Sequence, residues 1–292
     1  MISRYLFPIL LIFTLVSCGE KTTIQNSGTL AVTDDLGREL HLKAHPQKVM
    51  ALAPSMTEYL ALICPKEQLV ARTQNCDYPK WVEGLQEVVN YPSLNLELLL
   101  QIKPDLILTQ KGITPSSDLN KLDEFGIPVY VFKNDSLDKI INSAERIGSI
   151  TGNYNRGKEV SDSLTIVRNE LAKGEHEDST SVIGIMSNQT MFAYGKGSLV
   201  DQMLNEAGLI NGIDSSFISS YPQINEEYLL RRNPDILFVT TSISWDEFFE
   251  THPNLKELDA FKSDKLYQIE GDLISRQGPR ALTGLRELKK LR

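Results

Sequence analysis

With 292 residues, 41% of them hydrophobic and 23% charged, the chain has ordinary globular composition and enough length for two lobes of typical domain size. Its formal net charge is −8 and it contains no Lys/Arg-rich block. That excludes a nucleic-acid partner, because phosphate binding needs a clustered positive footprint.

The chain opens on Arg4 and then an apolar run, Tyr5 to Val16, too short to span a bilayer. Ser17 and Cys18 follow directly. A small residue and then Cys after such a run resembles the bacterial lipoprotein signal, in which the peptide is cut before the Cys and the thiol carries lipid. Residues 1–17 are accordingly read as a signal peptide, Cys18 as the lipid-bearing residue and 18–29, polar and small, as a tether. The expected product is exported to the periplasm or cell envelope and anchored to a membrane through lipidated Cys18. No later segment is apolar enough to cross a bilayer. Of the two remaining cysteines, Cys64 ends a predicted helix and Cys76 lies beyond the strand Gln68 to Thr73. Six strand residues cover roughly 20 Å, whereas a disulfide needs Cα atoms within about 7 Å. Both are expected as free thiols.

Residues 30–134 read as an N-terminal α/β lobe. Thr33 to Leu42, with Asp35-Leu36-Gly37-Arg38 at its turn, predicts a hairpin. A strand at Val49–Ala53 precedes a helix over Met56–Cys64, and Ser55-x-x-Glu58 fits a capping box. A strand over 69–73, a short helix over 80–85, a strand at 106–109, a helix ending before Gly126 and a strand over 127–132 complete the lobe. Residues 135–174 carry no strand signal. Leu137, Ile140, Ile141, Ala144 and Ile147, then Val160, Leu164, Val167 and Leu171, recur at helical spacing on either side of Gly152. This segment predicts a long, rigid bridging helix that limits hinge motion. Residues 175–292 read as a second α/β lobe: strands over 182–186 and 191–194, a helix from Gly195-Lys196-Gly197-Ser198 to about Ala207, helices near 246–249 and 255–261, a strand over 266–269, and a final helix over 279–291. Between the last strand and that helix, Asp272 and Arg276 are placed in a loop.

One stretch is printed twice. Asn95-Leu-Glu-Leu-Leu-Leu-Gln-Ile-Lys-Pro-Asp-Leu-Ile-Leu108 returns 130 positions later as Asn225-Glu-Glu-Tyr-Leu-Leu-Arg-Arg-Asn-Pro-Asp-Ile-Leu-Phe238. Each copy predicts a short helix that starts after Asn and stops before Pro, then a fully apolar buried strand. Tyr91-Pro92 precedes the first copy and Tyr221-Pro222 the second. The fold class is therefore α/β, with two similar lobes of mainly parallel sheet and a ligand cleft where the loops beyond the strand ends face each other.

Reactive constellations are missing. The four histidines do not share a motif, and neither His-Glu-x-x-His nor Gly-x-Ser-x-Gly occurs. Gly195-Lys196-Gly197-Ser198 lacks the order of a phosphate loop. No metal site, cofactor or enzymatic activity is expected. Aromatic and polar groups occupy the loop positions instead: Tyr91, Phe192, Tyr194, Tyr221, Asp272 and Arg276. Tyrosine rings in a cleft suit a large, flat or amphipathic ligand.

Taken together, the lipoprotein-like leader, the doubled unit and the bridging helix resemble the helical-backbone (class III) substrate-binding proteins of ABC importers, above all the cobalamin-binding members. The most specific pieces are Ala53-Pro54-Ser55-Met56-Thr57-Glu58, Asp77-Tyr78-Pro79, Tyr221-Pro222-Gln223 and Arg276-x-x-Pro279-Arg280. The resemblance implies a monomeric receptor that binds a cobalamin-like corrinoid and passes it to a permease dimer with its ATPase subunits. Ferric-siderophore and haem receptors share the fold, and a chelatase-like enzyme is a more distant alternative. It implies ligand contacts at Tyr91, Phe192, Tyr221, Asp272 and Arg276. It further implies permease docking at Glu58 and, on the second lobe, at Glu206, beside the strict match Asn205 and near Asp201. Tyrosines stand where the cobalamin receptor has tryptophans, and Asn75-Cys76 stands where an aromatic would be expected.

Overall fold

A computed structural model describes residues 28–172 and 179–292. The apolar leader, Cys18 and most of the tether lie outside the described residues, as does the expected lobe boundary near 174. No helix among the described residues is long and apolar enough to cross a membrane.

The N-terminal lobe opens with the predicted hairpin, β1 (Thr29–Thr33) and β2 (Glu39–Lys43), paired antiparallel. Asp34 holds its turn: the carboxylate accepts the Leu36 and Arg38 backbone N–H groups, each at 3.0 Å, and the Arg38 guanidinium at 2.6 Å. Next come β3 (Val49–Ala51), α1 (Pro54–Ile63), β4 (Leu69–Thr73), β5 (Gln86–Val88), α2 (Leu96–Ile102), β6 (Leu106–Gln110), α3 (Ser116–Glu124) and β7 (Val129–Phe132). The five strands from β3 to β7 form one parallel sheet in the order β5-β4-β3-β6-β7. The second lobe contains β8 (Ser181–Ile185), α6 (Leu199–Glu206), β9 (Ile210–Asn211), α7 (Glu226–Arg232), β10 (Ile236–Thr240), α8 (Trp245–Thr251), α9 (Asp259–Lys262), β11 (Leu266–Ile269), α10 (Gly271–Ser275) and α11 (Ala281–Lys289). Its parallel sheet runs β11-β10-β8-β9.

The doubled stretch folds as two copies of one unit, down to its caps. Asn95 and Asn225 each cap their helix by accepting a backbone N–H three residues on, from Leu98 at 3.1 Å and Tyr228 at 2.8 Å. Both helices end on a residue in the left-handed conformation just before Pro, Lys103 (φ 52°) and Asn233 (φ 39°). Asp105 and Asp235 then anchor the sheet in the same way. Each accepts backbone N–H groups from the chain entering a neighbouring strand, Asp105 from Gln47 and Lys48 and Asp235 from Ser181.

Between the sheets, α4 (Leu137–Thr151) and α5 (Tyr154–Leu171) are joined at Gly152, which adopts φ 78°. The 18 residues of α5 extend about 27 Å at the usual rise. The two helices meet at glycines: a Cβ on Gly157 would lie 2.6 Å from the Ala144 carbonyl oxygen and 2.7 Å from the Gly148 Cα. One hydrophobic core runs without a break from Met56 and Tyr59, through Ile140, Ile147 and Val160, to Met203 and Leu285. The bridging segment is thus welded into both lobes. Arg168 on α5 adds ion pairs to Glu206 on α6 (2.6 Å) and Asp138 on α4 (2.5 Å).

Three local expectations fail. Ser55 does not cap α1: the helix begins on Pro54 with Ala53 as its cap residue, and the Ser55 hydroxyl donates instead to Gln110 Oε1 at 2.7 Å. Proline at the first helical turn needs no N–H partner, so it displaces the start by two residues. Residues 191–194 form only isolated bridges, Ile185 to Ala193 and Phe192 to Gln223, because Gln223 rather than a full strand lies beside them. Asp272 lies within α10 and Arg276 is its cap residue, where a loop is expected. Cys64 and Cys76 are free and buried, and burial pushes the Cys64 thiol up to about 11.

Candidate functional site

Parallel sheets direct the carboxyl ends of their strands, and the loops after them, to one side. Here the two sheets bring those loops together. A cavity of about 400 Å³ is lined by the loops after β3 (Leu52 to Ser55), β4 (Thr73, Asn75), β5 (Asn90) and β6 (Gln110 to Ile113), and closed by Ser275, Arg276 and Gln277 from the second lobe. A second cavity of about 400 Å³ lies on the other lobe, against Met186, Tyr194, Thr240 to Ser242 and Glu270 to Asp272, and it shares Ser275 with the first. Three hollows elsewhere, beside Tyr228, Lys103 and Gln68, touch none of these strand-end loops.

Contacts across this cleft are polar and specific. Gln110 Nε2 donates to Gln277 Oε1. Asn134 Nδ2 donates to the Gln277 carbonyl at 3.1 Å, and the buried Ser143 hydroxyl holds Asn134 in turn at 2.7 Å. Within the second lobe, the Tyr194 and Ser275 hydroxyls are 2.8 Å apart. Tyr194 stacks on Phe238, with ring centroids 6.0 Å apart, which fixes its ring on the core side.

The densest feature is a charge cluster where residues 276–280 reach over to the first lobe. Arg276 donates to Asp77 at 2.9 Å and to Glu58 at 3.4 Å, and pairs with Asp272 at 2.8 Å. Arg280 pairs with Glu58 at 2.8 Å and Glu270 at 3.4 Å, and its guanidinium lies 4.2 Å from the centre of the Tyr78 ring. Burial alone would raise the Asp77 carboxyl, but the Arg276 hydrogen bond and charge outweigh it and hold Asp77 below the usual carboxylate range. Glu58, only 1% exposed, contributes a second carboxylate oxygen, Oε2, that is buried without a hydrogen-bond partner.

The site residues expected from sequence fall into three groups. Asp272 and Arg276 are brought together, as partners of each other, at the meeting of the two cavities. Tyr91, Phe192 and Tyr221 line neither cavity, and each neighbours a residue that does, Tyr91 and Phe192 through the backbone and Tyr221 through its ring. Tyr91 follows the lining residue Asn90 and is 77% exposed. The Phe192 carbonyl accepts the backbone N–H of the lining residue Met186 at 2.8 Å. Tyr221 meets the lining ring of Tyr194 edge-on at 6.4 Å. Each is at least 38% exposed, so a contact surface is available. The two acidic residues expected to dock line neither cavity: Glu58 is buried under the two arginines of the cluster, and Glu206 is engaged by Arg168. Of Glu206's neighbours, Asp201 is buried and accepts from Asn211, while Asn205 is exposed.

Tyr78, Gln110, Gln277 and Arg280 belong to the cleft and were missed by sequence reasoning. Tyr78 and Arg280 lie inside the motifs Asp77-Tyr78-Pro79 and Arg276-x-x-Pro279-Arg280, so their signal was present. The two glutamines carry none, since their partners are distant in sequence: each other, 167 positions away, and Ser55 and Asn134, 55 and 143 positions away.

Comparison with known proteins gives a concordant result. The family described as periplasmic binding protein matches residues 49–273. The vitamin B12-binding protein of Vibrio parahaemolyticus is 26% identical over 247 residues, covering 83% of this chain and 88% of its own. An ABC transporter substrate-binding lipoprotein of Bacillus subtilis is 25% identical over 267 residues, covering 89% and 84%. Among solved structures, a possible iron-binding (periplasmic solute-binding) protein of Staphylococcus epidermidis aligns with a TM-score of 0.74 at 27% identity, over 84% of this chain and 98% of that one.

Proposed function

We propose that this chain, which belongs to the periplasmic binding protein family, captures a cobalamin-like corrinoid in the interlobe cleft and delivers it to an ABC-importer permease dimer. The observation that carries the reading is the pair of facing cavities joined at Ser275, with exposed aromatic rings at their margins on both lobes. A flat macrocycle placed between the lobes meets rings from each and polar side chains at its rim. The relative named for vitamin B12 supports the corrinoid. The iron-binding neighbour favours the second reading, a ferric chelate or haem in the same cleft.

Delivery belongs to the same proposal. The protein acts as a monomer, tethered to a membrane through lipidated Cys18, and the Bacillus subtilis lipoprotein supports that anchor. Glu206 and Glu58 are the docking carboxylates. Docking at Glu58 entails an exchange, in which permease cations replace Arg276 and Arg280.

Titration of the purified protein with cyanocobalamin, haemin and ferric chelates, followed by absorbance and calorimetry, tests the ligand. Saturable binding of the corrinoid is expected, and its failure beside tight haemin binding refutes the first reading in favour of the second. Within the corrinoid reading, Tyr221→Ala is expected to weaken binding by about tenfold, the upper end of what one aromatic contact contributes. Unchanged affinity removes Tyr221 from the site.

A further inference from the structure

We infer that the cleft selects a ligand whose rim is uncharged and rich in N–H donors, such as primary amides, and rejects one that carries carboxylates. This rests on the corrinoid reading and sharpens it, because flat macrocycles of similar size differ in just this respect. The arginines are the obvious anchors for an anionic ligand, and both are already held by carboxylates; the Arg280 Nε–H, which has no partner, is buried. Arg276 is shared among Asp77, Asp272 and Glu58, and Arg280 among Glu58, Glu270 and, at 3.8 Å, Asp272. Four carboxylates therefore face two guanidiniums, and one carboxylate oxygen, Glu58 Oε2, is left buried with no donor.

A ligand carboxylate entering here must displace Asp77 or Asp272 from Arg276, or lie beside them uncompensated. Either route places like charges together in a partly desolvated site. Lys111 also lines the first cavity, but a single ammonium does not balance an excess of two carboxylates. An amide rim meets no such barrier. Its N–H groups can donate to Asp272 on the second cavity and to Asp77 beside Arg276, and its carbonyls can accept from the side-chain amides of Asn75 and Asn90 on the first cavity, of which Asn90 already gives one N–H to the Leu52 carbonyl.

The decisive probe changes one ligand group and nothing else. The full chain is titrated with cyanocobalamin and with its monocarboxylate, in which one propionamide has been hydrolysed to propionate. The expected result is at least tenfold weaker binding of the monocarboxylate near pH 7. The double variant Asp77→Asn/Asp272→Asn is expected to narrow that ratio, since it removes the repulsion and frees Arg276. Equal affinity for the two ligands, or a ratio unmoved in the variant, overturns the charge selection while leaving the corrinoid reading intact. If no corrinoid binds, the corrinoid reading falls. Haemin against its bis-amide then decides the charge preference separately: tighter binding of the bis-amide upholds it, and tighter binding of haemin, or no binding of either, overturns it.

Discussion

Replacing Glu58 by glutamine is expected to cost about 3 kcal/mol of folding stability, the low end of the range for removing one partner of a buried ion pair. The side chain is almost fully buried, so solvent does not screen the loss. Glutamine fills the same space, which leaves charge as the variable. It also turns one acceptor oxygen into an NH2 group that faces two guanidiniums, adding a donor where acceptors are needed. The cost stays at the low end because the arginines keep other partners: Arg276 retains Asp77 and Asp272, and Arg280 retains Glu270 and Asp272. Urea unfolding measures the difference from the midpoint at constant slope. A loss under 1 kcal/mol means that the cluster is not what ties residues 276–280 to the first lobe. Uptake assays on this residue must therefore be paired with a stability measurement, since lost docking and lost folding would otherwise look alike.

The second large effect is expected at the crossing of α4 and α5. Gly157→Val places a branched side chain where even a Cβ meets the Ala144 carbonyl oxygen at 2.6 Å and the Gly148 Cα at 2.7 Å. Both obstacles are backbone, so neither can rotate away, and the helices must separate. Valine is a slightly better helix former than glycine, by roughly 0.4 kcal/mol. Overpacking of this kind costs about 1–3 kcal/mol and wins. A net destabilisation of about 1–2.5 kcal/mol in thermal or urea unfolding is expected, together with weaker ligand binding because the strut sets the spacing of the lobes. An unchanged midpoint shows that the two helices do not need this close approach.

What could be read from sequence was local. The doubled unit was legible because Asn, Pro and Asp act within a few residues of themselves, as cap, stop and strand anchor. The apolar runs at 106–108 and 236–238 were legible because a buried parallel strand needs no alternation. The five-residue α10 was not, since Gly271-Asp-Leu-Ile-Ser275 is too short to show a helical period. Ser55 and Glu58 fit a local pattern that the fold overrules: their partners are Gln110, Arg276 and Arg280, the last two 218 and 222 positions from Glu58. For the cleft, sequence located Asp272 and Arg276 but not that each satisfies the other. The Asp272–Arg276 pair spans only four residues of the second lobe, but the contacts from Arg276 and Arg280 to Glu58 and Asp77, and the surplus of carboxylates they create, arise only when both lobes are folded against each other.

The unbroken core that passes from Met56 through Val160 to Leu285 has a thermodynamic corollary. Two lobes separated by a hydrated linker can melt one after the other. Lobes that share apolar side chains through a common helix cannot, because unfolding either one exposes surface that the other has buried. Calorimetry of the ligand-free protein should therefore show one transition whose calorimetric and van't Hoff enthalpies agree, and neither half, expressed alone, should hold a fixed tertiary structure.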